Sequence, residues 1–394
     1  MSFQRKQLRV ILDRLAEPRR FIQVFAGPRQ VGKTTVARVA LAATDRAGLF
    51  VSADDPGLPS RAWLTDVWSQ ARDLAVRSGP RGAVLVLDEI QKIPGWSSTA
   101  KAFWDADSAS GAPLHVILLG SAPLLVGHGL TESLAGRFEI IRFPHWSLSE
   151  MRAAFDVTVD EYVLFGGYPG AAELRSTPER WASYIRDAII EPTIARDVLT
   201  MTRVDKPALL RQLFDLSCSY SSQIVTWQKL MGQLPDAGNT TTLAHYAALL
   251  RGAGTVAGLR KYSGSAHRQR GSSPKLQVFN TALVTAQHRA APASLRGDPA
   301  KWGRAVESAI GAHLLNESID GSIDVTYWRE GGAEVDFIVR TPARTIAIEV
   351  KSSDRKATPS ARIALQRAHH IDRFLTVGDT ISVEEFLLTS AATL

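Results

Sequence analysis

Short apolar runs alternate with helical stretches over the first third of the chain. The runs are Phe21–Ala26, Gly48–Ser52, Ala83–Leu87, His115–Leu119 and Phe138–Arg142. Continuous apolar strands separated by helical segments predict a parallel sheet covered on both faces. Ahead of them, Leu8, Ile11, Leu12 and Leu15 recur at the spacing of one helical face. From 145 to 200 the strands vanish and the pattern is mostly helical. It opens near Ser147–Arg152, is broken by Gly166-Gly167-Tyr168-Pro169-Gly170, and predicts a lid.

Residues 205–285 carry a different pattern. Leu209, Leu210, Leu213 and Leu216 mark one helix, Trp227–Leu234 a second and Thr240–Leu250 a third. The apolar Thr255–Leu259 then runs into a polar loop, Arg260–Lys275, and Gln277–Phe279 closes a hairpin. The loop holds Arg260, Lys261, His267, Arg268, Arg270 and Lys275 with no acid among them. Three helices and a basic-tipped hairpin predict a winged-helix module. The loop can meet nucleic-acid phosphates, or it is simply solvated. Beyond the linker Ala290–Asp298 come a helix, Lys301–Leu315, and strands Asp324–Trp328, Glu334–Val339 and Thr345–Val350. A helix around Ala361–His369 and a strand Arg373–Val377 follow. The expected fold class is α/β, with a P-loop sheet over 1–145, a helical lid over 146–203, a winged-helix-like module over 204–289 and a small α/β domain over 296–394.

Composition narrows the class. Of the 394 residues, 45% are hydrophobic, enough for buried cores, so wholesale disorder is excluded. Lysine and arginine exceed the acids by 46 − 39 = 7, which admits an acidic partner such as DNA without requiring one. The single cysteine, Cys218, excludes an intrachain disulfide framework and a cysteine zinc cage. A reducing, cytoplasmic setting is expected. The basic N-terminus has no apolar signal core behind it. The longest apolar stretch, Val116–Val126, is interrupted by Gly120, Ser121 and Pro123, so no membrane span is expected.

Gly27-Pro28-Arg29-Gln30-Val31-Gly32-Lys33-Thr34-Thr35 has the full P-loop spacing and lies between an apolar strand and a helical run. Glycines let successive N–H groups turn inward around a phosphate, and the helix N-terminus adds partial positive charge. Gly27, Arg29, Val31, Gly32, Lys33, Thr34 and Thr35 are the expected ATP contacts, with Lys33 reaching the β- and γ-phosphates. The run Ala83–Leu87 ends in Asp88-Glu89. Thr34 and Asp88 are the expected Mg²⁺ ligands, and Glu89 the base that polarises the attacking water. Ser121, at the end of the next strand, can sense the γ-phosphate or cap the strand. Arg137 can stabilise transition-state charge from its own subunit or a neighbour's in a homo-oligomer, or it forms a surface ion pair.

A second constellation lies near the C-terminus. Glu307 is on a helix, Asp336 on a strand, and Glu349 and Lys351 share one face of the next strand. Such a set can hold a second Mg²⁺ or Mn²⁺ through Glu307, Asp336 and Glu349, with Lys351 positioning a water for phosphodiester cleavage. The same charges also fit the solvated side of a sheet.

Together these segments resemble the bacterial and archaeal AAA-type ATPases with a C-terminal domain of unknown function that has a PD-(D/E)xK nuclease-like core. The shared pieces are Gly27–Thr35, Asp88-Glu89-Ile90-Gln91-Lys92, Gly120-Ser121, Leu134-Ala135-Gly136-Arg137 and Gly166-Gly167-Tyr168-Pro169. Others are Thr193-Ile194-Ala195-Arg196-Asp197, Tyr327-Trp328-Arg329, Glu334-Val335-Asp336-Phe337 and Glu349-Val350-Lys351. The resemblance implies a AAA-type core, a lid, a winged helix and a nuclease-like terminus. One departure is Asn280, where the family usually has Asp. The expected function is ATP hydrolysis whose nucleotide state controls a nucleic-acid-binding module. An ATP-gated nuclease and a non-hydrolysing switch that binds a protein partner are the alternatives.

Overall fold

The apolar runs of the first third all become strands: β1 (Ile22–Ala26), β2 (Ala47–Ser52), β3 (Ala83–Asp88), β4 (Leu114–Gly120) and β5 (Phe138–Arg142). They are seen in a computed structural model that describes residues 3–54, 60–120, 133–199, 204–235, 237–263, 272–288, 292–351 and 359–394. The strands form one parallel sheet in the order β2-β3-β4-β1-β5. β1, β3 and β4 are buried at every position, which explains why they read as continuous apolar runs.

Alternate side chains feed two cores. Leu85, Leu87, Val116 and Leu118 pack with Trp68 of α3 (Arg61–Arg77) and Trp104 of α4 (Trp96–Ser110). Val84, Val86, Ile117 and Leu119 pack on the other face with Ile11 of α1 (Lys6–Ala16) and Val36 of α2 (Lys33–Ala43). Asp107 ties the two helices of the first face together. It is almost fully buried and accepts from Trp68 Nε1 at 2.8 Å and Arg72 Nε at 2.6 Å.

The chain divides into two units, Met1–Phe143 and Pro144–Leu394. The expected lid, hairpin module and C-terminal segment all fall within the second. Its first helices, Leu148–Phe155 and Val159–Phe165, each open on a capping box, at Ser147 and Thr158. The stretches Ile185–Ile190 and Thr193–Val198 are π-helical, a geometry that recurs at functional positions. Helices Pro207–Ser219, Trp227–Met231 and Thr240–Gly252 follow. They accompany an antiparallel sheet of order β6-β8-β7, formed by Gln223–Ile224, Lys275–Val278 and Val256–Leu259. The long helix Pro299–Glu317 leads into β9 (Asp324–Glu330), β10 (Ala333–Arg340), β11 (Thr345–Val350) and β12 (Arg373–Val377). These four form a sheet of order β12-β11-β10-β9, with only the β11–β12 pair parallel. No helix among the described residues is long and apolar enough to cross a membrane.

Candidate functional site

β1 lies between β4 and β5, and β4 separates it from β3. The loop leaving β1 and the acidic end of β3 therefore open at the same carboxyl end of the sheet, where parallel α/β folds hold their ligands. Gly27 passes against the end of β5, where a Cβ would stand 2.2 Å from the Phe143 carbonyl oxygen. Gly32 has φ of 88° and caps α2. Only glycine meets both demands cheaply.

Lys33 opens α2 and is buried. Its Nζ donates to the carbonyls of Gly27 at 2.8 Å and Pro28 at 2.6 Å, so the ammonium is curled into the loop. Thr34 Oγ1 donates to Asp88 Oδ2 at 2.8 Å. That bond joins the loop to β3. Asp88 Oδ1 accepts from the Glu89 backbone N–H at 3.0 Å. Glu89 itself has φ of 53°, a left-handed conformation rare for a side-chain-bearing residue and often found at working sites. Arg29 is half-buried and Thr35 is exposed.

Two supporting residues were missed from the sequence. Gln91 Nε2 donates to Glu89 Oε2 at 2.5 Å and so orients the carboxylate. It stands inside the quoted Asp88–Lys92 segment, but glutamine at that spacing had no assigned role. Arg5, from the residue that precedes α1, is 3% exposed. Its Nη1 donates to the Val31 carbonyl at 2.8 Å, and its guanidinium lies 5.9 Å from the Phe143 ring centroid. An N-terminal arginine carries no signal of its own for such a contact.

Ser121 lies outside the described residues. Arg137 forks onto Asp105, Nε to Oδ1 at 2.6 Å and Nη2 to Oδ2 at 3.1 Å. Its donors serve an ion pair with α4, which is the surface arrangement that the sequence left open.

The C-terminal constellation assembles differently from the expectation. In the β9–β10 ladder Val335 faces Trp328 and Ile338 faces Thr326, so β10 has one extra residue, a bulge at Asp336 and Phe337. Asp336 Oδ2 accepts from the Val350 backbone N–H at 2.8 Å. Lys351 is ion-paired with Glu349. The centre of the cluster is held by Lys275, the first residue of β8, whose side chain is 0% exposed. Its Nζ lies 2.6 Å from Glu307 Oε1, 3.4 Å from Asp336 Oδ1 and 4.0 Å from Glu334 Oε1. It also donates to the Asp336 carbonyl at 3.1 Å and lies 4.6 Å from the Phe337 ring centroid.

Electrostatics follow from this geometry. Burial alone would lower the Lys275 pKa, but Asp336, Glu307 and Glu334 outweigh it and raise it. Burial and the neighbouring Asp336 push the Glu307 carboxyl up to about 7. Two expectations are corrected here. Lys275 is an interior cation, not part of a solvated basic loop. The metal site expected from Glu307, Asp336 and Glu349 is not formed: among the described residues, no group of three or more His, Cys, Asp or Glu is placed to hold a metal ion. A single ammonium already sits between two of the three acids, Glu307 and Asp336. Of the remaining loop cations, Arg260 lies 3.7 Å from Asp324 and is largely exposed. His267, Arg268 and Arg270 lie outside the described residues.

Asn280 is a buried junction. Its Oδ1 accepts from the backbone N–H of Gly167 at 3.2 Å and of Ala282 at 3.1 Å, and its Nδ2 lies 3.2 Å from His145 Nδ1. Two N–H donors at one end of the amide identify that end as the oxygen. The other end is then the NH₂, which makes His145 Nδ1 an acceptor. The proton of a neutral imidazole falls on Nε2, 2.9 Å from the Gly254 carbonyl.

Comparison with known proteins agrees with the first unit. Residues 19–152 match the family described as AAA domain. Residues 157–294 and 302–380 match two domains of unknown function, DUF8612 and DUF4143. An uncharacterized protein of Mycobacterium tuberculosis is 27% identical over 356 residues, covering 88% of this chain and 73% of its own. A Mycobacterium bovis protein matches to the same extent. Among solved structures, a Walker-type ATPase of Pyrococcus abyssi superposes with a TM-score of 0.49 at 15% identity, over 72% of this chain and 95% of that one. The RuvB protein of Thermotoga maritima gives 0.36 at 19% identity, over 64% and 87%. Residues 19–152 are thus similar to an AAA domain.

Proposed function

We propose that the chain binds and hydrolyses ATP at the Gly27–Thr35 loop. The observation that carries this reading is the Thr34–Asp88 hydrogen bond, which brings the loop hydroxyl and the β3 carboxylate together beside Glu89. Both oxygens are hard donors of the kind Mg²⁺ takes, so the residues fit the ion. Held by Thr34 and Asp88, Mg²⁺ would neutralise charge on the phosphate oxygens. Lys33 exchanges its two loop carbonyls for phosphate oxygens. Glu89, oriented by Gln91, takes a proton from the attacking water. Arg5 braces the loop through the Val31 carbonyl.

Lys33→Ala should abolish ATP binding by calorimetry, and Glu89→Gln should bind ATP with turnover reduced by about 10²-fold or more. Unchanged ATP affinity in the first variant would refute the site, and wild-type turnover in the second would remove Glu89 as the base.

We further propose that nucleotide state governs the second unit, and that its three helices and β6–β8 sheet act as a winged-helix module on nucleic acid. Support comes from the helix-and-hairpin order and from the run of Arg260, Lys261, Arg268 and Arg270. DNA affinity should then fall steeply with salt. A flat salt response would count against the module.

A further inference from the structure

Two residues of β8, Lys275 and Gln277, project on one face of their strand and meet the helix Pro299–Glu317. Gln277 Nε2 donates to the Ser308 carbonyl at 2.9 Å, and Gln277 Oε1 accepts from Ser222 Oγ at 2.9 Å. Lys275 passes the same helix at Glu307 and continues to the bulge of β10. Nearby, the backbone N–H of Tyr262 donates to the Tyr327 carbonyl at 2.6 Å and that of Tyr327 to the Arg260 carbonyl at 3.1 Å, which joins the β7 end to β9. β8 is therefore docked, and its lysine is fixed by backbone pairing on both sides of the hairpin.

We infer that Lys275 is the resident cation of the Glu307, Glu334 and Asp336 pocket: its ammonium occupies the place a divalent metal would take, and the pocket is metal-silent while β8 is docked. Three features support this. The ammonium has 0% exposure, so it is part of the interior rather than a passing surface contact. It meets carboxylates from two separate elements, the helix and β10, as a bridging metal would. It also takes the Asp336 carbonyl, an oxygen at the bulge. An ammonium has three donors and one charge, and here Glu307, Asp336 and its carbonyl lie within 3.4 Å. Partly exposed acids that face a buried lysine give up a metal's second charge for a permanent cation that needs no loading. The residues present thus do not fit a metal-dependent nuclease centre. The pocket instead acts as an ionic clasp between the β6–β8 sheet and the C-terminal sheet.

The test is a Mn²⁺ titration of the full chain without nucleotide, following the free-ion EPR signal. Wild type, Lys275→Met and Lys275→Met/Asp336→Asn are compared, so any binding at the P-loop is common to all three. The expected result is one additional Mn²⁺ site in Lys275→Met alone, at least ten-fold tighter than any in the other two. A site of that affinity in wild type would overturn the inference, as would a folded Lys275→Met with no added site. Should Lys275→Met not fold, Lys275→Met/Glu307→Gln/Asp336→Asn is measured by circular dichroism. Recovered folding means that the ammonium was balancing those acids. Failure to recover overturns the assignment.

Discussion

Replacing Asn280 by alanine removes three hydrogen bonds at once from a position that is 2% exposed. The backbone N–H groups of Gly167 and Ala282 lose their acceptor, and His145 Nδ1 loses its donor. Leaving a buried polar group unsatisfied costs about 1–3 kcal/mol. Partial relaxation brings the sum to about 3 kcal/mol rather than three full penalties. For a folding unit of this size, each kcal/mol moves the melting temperature by about 2–4 °C, so the second unit should melt about 6–12 °C lower. Differential scanning calorimetry of the full chain separates its transition from that of the first unit if the two melt apart. Asn280→Asp supplies the contrast. Its carboxylate still accepts from both N–H groups, but it offers His145 Nδ1 no proton. The bond re-forms only when His145 is an imidazolium donating from both nitrogens, one to Gly254 and one to the new carboxylate. An imidazolium stabilised in the folded state contributes below the ordinary histidine pKa of about 6.5 and is lost as pH rises above it. Asn280→Asp should therefore approach wild-type stability at pH 5.5 and fall toward the alanine variant at pH 8. An alanine variant within 2 °C of wild type, or two variants with the same pH response, would refute the hydrogen-bond assignment.

Other expectations are as direct. Arg5→Ala should weaken ATP affinity by about ten-fold, the equivalent of one lost charge-assisted hydrogen bond, and unchanged affinity by calorimetry would remove Arg5 from the site. Burial, with Arg46 and Arg19 nearby, holds the His115 imidazole down to about 4, so the native state stays neutral while the unfolded chain takes a proton near 6.5. The first unit should lose about 3 kcal/mol between pH 6.5 and 4, and urea melts of His115→Gln that keep the same loss would disprove it. Arg137→Ala should leave ATP turnover near wild type because Asp105 already holds the guanidinium, and a drop of ten-fold or more would restore its catalytic role.

Much of the first unit was legible because its cues are local. The three fully buried strands β1, β3 and β4 read as near-continuous apolar runs, and Gly27–Thr35 fixes its own loop geometry through spacing. Asp88 and Glu89 stand out for the same reason, as the polar end of a strand that is otherwise apolar. Arg5 and Gln91 were not, because their roles depend on which backbone they meet after folding. The C-terminal acids were seen as a set, since strand period places Glu334 with Asp336 and Glu349 with Lys351. What the period cannot show is a cation arriving from a strand some thirty residues before Glu307. Lys275 looked like the last member of a basic loop, and only the start of β8 at that residue turns it inward. At Asn280 the change from an acid read as a loss of charge. Its meaning lies in the tautomer of a histidine more than a hundred positions away.

The clasp at Lys275 also bears on how such chains can be cut and recombined. A boundary drawn in the segment Ala290–Asp298 leaves the lysine on one side and Glu307, Glu334 and Asp336 on the other. The C-terminal segment taken alone would carry Glu307 and Asp336 without their ammonium, with Glu334 facing the exposed Arg329 at 3.9 Å, and a graft onto another chain would work only where the host strand supplied a lysine at the matching place. Heredity should treat the two segments as a pair: a lineage that loses the ammonium must neutralise the acids or accept a metal in its stead.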